Sequence, residues 1–373
     1  MYYLVLANAL RESRTSLFLM LGKNMKYKII ACTALTAALL TGCRSFNGRH
    51  NIDSGFSYIE SHEYQSALES FDAAEEGGED KCLIYRGRGI AHLNRGEYEE
   101  AIENLLASLA SDEGIVDDMD FDTNYYLAEA YLKTKEYNKA KEVYDAIIAL
   151  RSNDSSAYYL RGTAELASGN HDAGYSDFTR AISLNSRDYA TIIMIYKALD
   201  EYGYTDEATA ILQTAIDNGR EFMSNFEKGQ ISFYLGNNAE AQSYLEAANN
   251  ERNQEKEPVV ILLGQTGEKQ GDYNYAISVY RNYLSEEPDS ALVYNQLGMC
   301  QIKQGDYESA ITSFEAGLAL DDKSLNQALM LNEITAYEYS GDFGVAQTMM
   351  QSYLEKYPDD QEAIRENIFL STR

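Results

Sequence analysis

The chain has 373 residues, which is enough for two or three ordinary domains or for one long repeat array. Hydrophobic residues make up 45% of it and prolines number only three, which favours long helices over a loop-rich β fold. The formal net charge is −28, and it is −32 beyond residue 42 because the first 42 residues are basic. Basic residues number 31 against 59 acidic ones, too few to neutralise the phosphates of a nucleic acid. We therefore expect no nucleic-acid partner.

The first predicted element is an apolar leader. Lys26 and Lys28 precede an apolar run over residues 29–40, which is too short to span a bilayer as a stable anchor. Leu40-Thr41-Gly42-Cys43 follows directly, and this string resembles the lipobox of bacterial lipoproteins. The resemblance implies that a signal peptidase removes residues 1–42 and that Cys43 becomes the lipidated N-terminus. The alternative is an ordinary signal peptide or a buried helix that happens to end in Gly-Cys.

The leader also predicts a location. Lipidation of Cys43 would anchor the chain to the cell membrane on its extracytoplasmic face, or to the outer membrane in a bacterium that has two membranes. Residues 43–52 would then form a short tether. A second apolar stretch precedes Met25, so we interpret Met25 as the true start of the protein.

A repeat with a period near 34 residues occupies the rest of the chain. Strings such as Gly96-Glu97-Tyr98 and Gly305-Asp306-Tyr307 recur, each followed after a further two residues by a small one, and successive small residues are 33 to 39 positions apart. The nine small residues are Ala67, Ala101, Ala140, Gly174, Ala208, Ala241, Ala276, Ala310 and Ala346. Apolar residues recur at helical spacing on both sides of each string, which predicts a pair of amphipathic helices per repeat.

Two further positions define the repeat. A large apolar residue follows each small residue by four positions, for example Phe71, Phe178 and Phe314. A second small residue stands twelve positions before the first small residue, and only Tyr196 and Ile334 break that rule. This second set comprises Gly55, Gly89, Ala128, Gly162, Gly229, Gly264 and Gly298. The period and these positions resemble the tetratricopeptide repeat. The alternative is a variant helical-hairpin repeat, which would imply a similar function.

The resemblance implies an all-α fold, a right-handed superhelix of about nine tandem helix-turn-helix repeats over residues 53–358. Glycine is expected in the left-handed conformation at each turn, and Asp272, Asp306 and Asp342 are expected to cap second helices. Residues 111–118 are predicted as a loop insertion, and residues 249–257 as a candidate hinge. Residues 359–373 should form a capping helix and tail, with Ile364 and Ile368 on its packed face.

In tetratricopeptide proteins, the first helix of each hairpin lines a groove through its second, fifth, ninth and twelfth repeat positions. Here these positions include aromatic, aliphatic and amide side chains, a mixture suited to an extended or helical peptide. The candidate partner-binding residues are Arg86, Tyr125, Tyr159, Phe226, Gln230, Phe233 and Asn295. The alternative for each aromatic is packing between neighbouring repeats. The basic cluster that some members use to clamp a terminal carboxylate is missing.

No catalytic or metal-binding motif is present in the sequence. The four histidines form no pair with metal-ligand spacing, and the four cysteines include no CxxC and no close pair. We therefore expect no enzyme activity, no cofactor and no metal.

The expected function is that of a membrane-anchored extracytoplasmic scaffold or adaptor. It would bind a protein or peptide partner in the cell envelope through the groove. The alternative function is a surface lipoprotein that binds a glycan or another solute within a nutrient-uptake or envelope complex.

Overall fold

The computed structural model describes residues 50–111 and 116–373. Within them the regular elements are all α-helices, so the predicted all-α class is confirmed. The leader with Cys43 and Met25, most of the tether, and residues 112–115 of the predicted insertion lie outside the described residues.

The helices fall into two compact units that divide after Gly203. Unit 1 contains α1 (His50–Glu60), α2 (Tyr64–Glu76), α3 (Lys81–Arg95), α4 (Tyr98–Ser111), α5 (Asp118–Lys133), α6 (Tyr137–Leu150), α7 (Ser155–Ala167), α8 (His171–Leu184) and α9 (Tyr189–Glu201). Unit 2 contains α10 (Thr205–Gly219), α11 (Asn225–Tyr234), α12 (Asn238–Asn249), α13 (Lys256–Lys269), α14 (Tyr273–Glu286), α15 (Ala291–Gln304), α16 (Tyr307–Ala319), α17 (Asn326–Ser340), α18 (Phe343–Lys356) and α19 (Gln361–Leu370). The predicted hinge at residues 249–257 lies inside unit 2, between α12 and α13, and stays a prediction.

Each helix pair is joined by a turn with one residue in the left-handed conformation. That residue lies five positions before the small residue of the second helix, and its φ ranges from 59° to 89°. Seven of the nine repeats place glycine there, as in Gly305 with φ 88° and Gly341 with φ 89°. His62 and Lys135 occupy the same position with φ 59° and 62°. The expected left-handed turn is therefore present even where glycine is not.

The two helices of a hairpin approach closely because a small residue faces a large one. Within each unit, the large residue four positions after the small one is almost completely buried, as Phe178, Tyr280 and Phe314 illustrate. A Cβ atom added to Gly298 would lie 2.5 Å from Cε1 of Phe314, which is less than any ordinary contact. The glycine at this position thus makes room for the aromatic ring of the second helix.

Packing then continues from hairpin to hairpin within a unit. Each second helix also packs on the first helix of the next hairpin, as α2 does on α3 and α14 does on α15. First helices contact one another along the series, as α1 does with α3 and α15 does with α17. This nearest-neighbour pattern is typical of a repeat array, in which a single hairpin cannot bury its apolar face.

The capping helix is present, but its packed face differs from the prediction. Helix α19 packs on α18 through Ala363 and Leu370, which are buried. Ile368, expected on the packed face, is instead 62% exposed. Ala363 and Leu370 are seven residues apart and therefore share one side of the helix, whereas Ile368 lies on another side.

Candidate functional site

The candidate site is the set of first-helix side chains that the repeat pattern assigns to the groove. We call it the inner face and count positions with the small residue of the first helix as position 8. In unit 1 the inner face then consists of positions 5, 9 and 12 of α1 and of positions 2, 5, 9 and 12 of α3, α5, α7 and α9. In unit 2 it consists of the same positions of α11, α13, α15 and α17.

In unit 1, Arg86 is the centre of a polar cluster that spans three first helices. Its guanidinium forms an ion pair with Asp122 of α5. The guanidinium carbon also lies 5.6 Å from the ring centroid of Phe56 in α1 and 5.8 Å from that of Tyr126 in α5. The Arg86 side chain is only 16% exposed. This predicted partner-binding residue is thus already engaged within the protein, although its Nε atom is buried without a hydrogen-bond acceptor in the described residues.

Burial changes the acid–base behaviour of this cluster. Desolvation raises the pKa of Asp122, and the positive charge of Arg86 opposes part of the rise. Desolvation likewise raises the pKa of Glu129, which lies at position 9 of α5. The ammonium of Lys133, with its Nζ atom 4.0 Å from Oε1 of Glu129, opposes part of this rise. The inner face of α5 therefore carries carboxylates in a poorly hydrated setting, and its negative charge is only partly neutralised.

Two predicted aromatic residues of unit 1 pack into the interior. Tyr159 is 6% exposed, its ring centroid lies 6.1 Å from that of Phe178, and burial raises its pKa to about 12. Tyr125 is partly buried, with its ring centroid 6.2 Å from that of Tyr144. Tyr159 in particular has little exposed surface that a partner could contact.

In unit 2, three predicted residues lie on α11 with different exposure. Phe233 is 6% exposed, and the ammonium of Lys269 lies 3.7 Å from its ring centroid. Phe226 is only partly buried and packs on the core between α11, α12 and α13. Gln230 is half-buried, and its amide makes no hydrogen bond to any residue that the structure describes. Phe226 and Gln230 are therefore the more accessible of the three.

Amide side chains connect the next first helices of unit 2. Asn332 of α17 donates from Nδ2 to Oδ1 of Asn295 in α15 at 2.8 Å, and Asn295 is 7% exposed. Gln265 of α13 donates to Gln296 of α15 at 3.4 Å. Asn295 thus stabilises the contact between two first helices, and it is largely shielded from a partner.

Some residues of these clusters were not among the predicted ones. Asp122 occupies position 2 of its repeat, so the same pattern that selected Tyr125 would have selected it. Phe56 occupies position 9 of the first repeat and is identified by the same counting. Tyr126 and Asn332 occupy position 6, which the groove pattern does not include, and only the contact between neighbouring first helices reveals them.

Other kinds of functional site would use metal ligands, reactive thiols or membrane-spanning helices. No group of three or more His, Cys, Asp or Glu side chains in residues 50–111 and 116–373 is arranged to hold a metal ion. The thiols of Cys82 and Cys300 are buried, and burial raises the pKa of the Cys300 thiol to about 12. Among the described helices, none combines the length and the apolar character that a membrane crossing requires.

Comparison with known protein families identifies the repeat. One model described as tetratricopeptide repeat matches residues 92–162 and 268–334, and a second with the same description matches residues 54–115. The chain therefore contains tetratricopeptide repeats, as the sequence predicted. Repeats of this kind generally mediate contacts between proteins, and the proteins that carry them are typically scaffolds without enzyme activity.

Similar proteins are distant. The chain is 24% identical over 248 residues to RNA polymerase II-associated protein 3 of Xenopus tropicalis, covering 65% of this chain and 34% of that protein. It is 20% identical over 241 residues to a DnaJ homolog subfamily C member 7 homolog of Dictyostelium discoideum, covering 64% of this chain and 40% of that protein. The chain thus spans well under half the length of either relative. Among solved structures, yeast Tom70 is similar with a TM-score of 0.46 and 13% identity, over 86% of this chain and 90% of that one.

Proposed function

We propose that this protein is a membrane-anchored extracytoplasmic scaffold that binds an extended peptide segment of a partner protein along its inner face. The observation that carries the proposal is that the inner face of unit 2 has partly exposed apolar side chains and an amide without a hydrogen-bond partner in the part of the chain that the structure describes. Phe226, Ile261, Met299 and Leu331 are apolar there but remain partly exposed, and the Gln230 amide has no acceptor or donor among the described residues. Partly exposed apolar groups and an unused amide on the same inner face suit a peptide that supplies side chains and backbone hydrogen bonds together.

The buried residues of the inner face have a different role in this proposal. Tyr159, Phe233 and Asn295 hold neighbouring helices together, so their replacement would disturb the array itself. A test of binding should therefore avoid them and change Phe226 and Gln230.

The binding test uses pulldown of partners from native membranes by the full chain. The variant Phe226→Ala with Gln230→Ala should lose its partners, because it removes an accessible ring and the unused amide. Phe222→Ala is a matched control, because Phe222 lies outside α11 and is 51% exposed. Recovery of the same partners by both variants would show that the inner face of unit 2 is not the binding surface.

The anchoring part of the proposal rests on the lipobox string that ends at Cys43. Labelling of growing cells with a fatty-acid analogue should place label on the wild-type chain and none on Cys43→Ser. Label that persists in Cys43→Ser would contradict lipidation at this residue.

A further inference from the structure

A second candidate binding surface lies in unit 2, outside the inner face. It is a cleft of about 370 Å³ between the first half of α16 and the end of α17. The residues that line it are Glu308, Ile311, Thr312, Tyr337, Ser340 and Asp342. None of them occupies position 2, 5, 9 or 12 of a first helix, so the cleft is separate from the surface used in the proposed function.

The hydrogen-bonding groups of the cleft are mainly acceptors. The hydroxyl of Thr312 donates to the carbonyl oxygen of Glu308 at 3.1 Å, and that of Ser340 donates to the carbonyl oxygen of Tyr337 at 2.8 Å. Both hydroxyl protons are therefore already used, and the hydroxyl oxygens still accept. Together with the carboxylates of Glu308 and Asp342, they favour a ligand that brings several donors.

The cleft is also negatively charged without internal compensation. Neither Glu308 nor Asp342 forms an ion pair with a cation in the described residues. Asp342 makes no side-chain hydrogen bond to the first turn of α18, whereas the equivalent Asp306 accepts from the backbone of Ser309 at 3.2 Å. The Asp342 carboxylate accepts a long hydrogen bond from the Ser340 hydroxyl at 3.5 Å, and its remaining acceptor positions are available to a ligand.

The behaviour of Tyr337 agrees with a negative environment. Burial raises its pKa above the usual value of 10, and the carboxylates of Glu333, Glu315 and Asp342 raise it further. A cation in the cleft would relieve this accumulation of negative charge.

A pair of stacked rings belongs to the same two helices, at residues next in the chain to two residues that line the cleft. Tyr307 precedes Glu308 in the chain and Tyr339 precedes Ser340, and their ring centroids are 5.7 Å apart with an interplanar angle of 15°. Tyr339 is 45% exposed, so one ring of the pair is accessible to solvent. Planar guanidinium groups stack well on such rings, and they bind carboxylates with several donors at once.

We propose that this cleft binds an arginine side chain from a basic segment of a partner protein. The carboxylates of Glu308 and Asp342 accept from the guanidinium, and Tyr339 provides a ring on which it stacks. The unit is acidic as a whole, so charge complementarity favours a basic segment over a neutral or acidic one. This site is independent of the inner face, and loss of peptide binding there would leave it unaffected.

The test is a fluorescence anisotropy titration of the full chain in detergent. The probe is a peptide Gly-Ser-Arg-Ser-Gly-Arg that carries an uncharged dye, and its partner probe contains citrulline in place of both arginines. Citrulline keeps the planar shape but lacks the charge. The arginine peptide should bind, and the citrulline peptide should bind at least about fivefold more weakly.

Variants locate the binding to the cleft. Glu308→Gln with Asp342→Asn should weaken binding of the arginine peptide by about five- to twentyfold, because two ion pairs are lost. Glu355→Gln with Asp289→Asn removes the same charge from exposed positions elsewhere in unit 2 and should leave the affinity unchanged. Tyr339→Leu should weaken binding of the arginine peptide by a few-fold while circular dichroism stays that of the wild type.

Three results would overturn the proposal. Equal binding of the two peptides would show that the guanidinium charge is not recognised. Equal weakening by the two double variants would show attraction by the overall charge only. Binding of a neutral oligosaccharide such as maltotetraose, lost in the cleft variant while the arginine peptide fails to bind, would assign the cleft to a glycan instead.

Discussion

At the scale of single residues, the turn between paired helices makes the same conformational demand in every repeat. The residue five positions before the small one has positive φ in all nine repeats, and a side chain at that position is strained. Glycine meets the demand without steric strain, whereas His62 and Lys135 adopt a conformation that L-residues with a Cβ atom rarely occupy.

Removing this strain at Lys135 should stabilise the protein. Lys135→Gly should raise the free energy of unfolding by about 0.5–1 kcal/mol, because the relief of left-handed strain exceeds the extra chain entropy of glycine. Gly305→Ala, which introduces the same strain, should lower it by about 1 kcal/mol. Urea titrations followed by circular dichroism measure both changes, and a loss of stability in Lys135→Gly would contradict the argument.

The buried carboxyl of Glu333 should make the stability of the protein depend on pH. This side chain is 6% exposed in α17, and desolvation followed by repulsion from Glu315 raises its pKa to about 7. The folded protein therefore holds this proton up to higher pH than the unfolded chain, whose glutamates titrate near 4.5. Stability should fall as the pH rises from about 4.5 to about 7, because the charged form is disfavoured only in the folded state.

The variant Glu333→Gln tests that sign. It should be more stable than the wild type at pH 8, and the difference should shrink as the pH is lowered towards 4.5. Glu355→Gln, at an exposed position, is the control and should show no such trend. A gain in Glu333→Gln that is the same at every pH would mean that titration of this carboxyl is not its cause.

At the scale of helices, aspartates that occupy the same capping position in the sequence make different hydrogen bonds in the structure. Asp272 and Asp306 accept from the backbone of the third helical residue at 2.9 Å and 3.2 Å. Asp342 was expected to do the same but does not. The backbone N–H of Val345 donates to the carbonyl oxygen of Asp342 at 3.1 Å, so the first turn of α18 is closed by the backbone instead.

Replacement of Asp306 and of Asp342 should therefore have different effects. Asp306→Ala should destabilise the start of α16 by about 1 kcal/mol, because the backbone N–H of Ser309 loses its acceptor. Asp342→Ala should cost the start of α18 much less, since no such bond is lost. Hydrogen exchange at the amides of Ser309 and Val345 reports each turn separately. Equal acceleration in the two variants would show that Asp342 caps α18 in solution.

The helical pairs were predictable from the sequence because the residues that determine them are close in the chain and recur with a fixed period. The small and large residues of each hairpin are a fixed number of positions apart, and the structure buries them together, as for Gly298 and Phe314. The contacts of Arg86 and Asn295 were not predictable in the same way. They depend on how two first helices from neighbouring repeats are aligned, and residues at position 6, such as Tyr126 and Asn332, enter only through that alignment.

Burial likewise separated residues that the repeat pattern treats alike. Tyr159 and Phe226 both occupy position 5 of a first helix, yet the first is 6% exposed and the second is only partly buried. The pattern gives the direction of a side chain, but the size of its neighbours decides whether it remains accessible. Accessibility therefore points to Phe226 and Gln230 as the better candidates for partner contact.

At the scale of the whole molecule, contacts between neighbours should make stability a regional property. In a repeat array, each hairpin is stabilised by its own packing and by its two interfaces, so a local defect loosens nearby repeats first. Gly298→Ala creates such a defect, because its Cβ would lie 2.5 Å from the Phe314 ring, and it should cost about 1–3 kcal/mol. Gly344→Ala is the control, since a Cβ there would have no other atom within 4 Å.

Hydrogen exchange mapped along the described residues distinguishes regional from global stability. In Gly298→Ala, exchange should accelerate most in α15 and α16, less in α14 and α17, and least in α3 to α5 of unit 1. Gly344→Ala should show no acceleration beyond its own helix. Equal acceleration throughout residues 50–111 and 116–373 would instead mean that the repeats unfold as one cooperative body. The graded result follows because α15 packs on α14, α16 and α17, so the strain at Gly298 reaches these helices before any in unit 1.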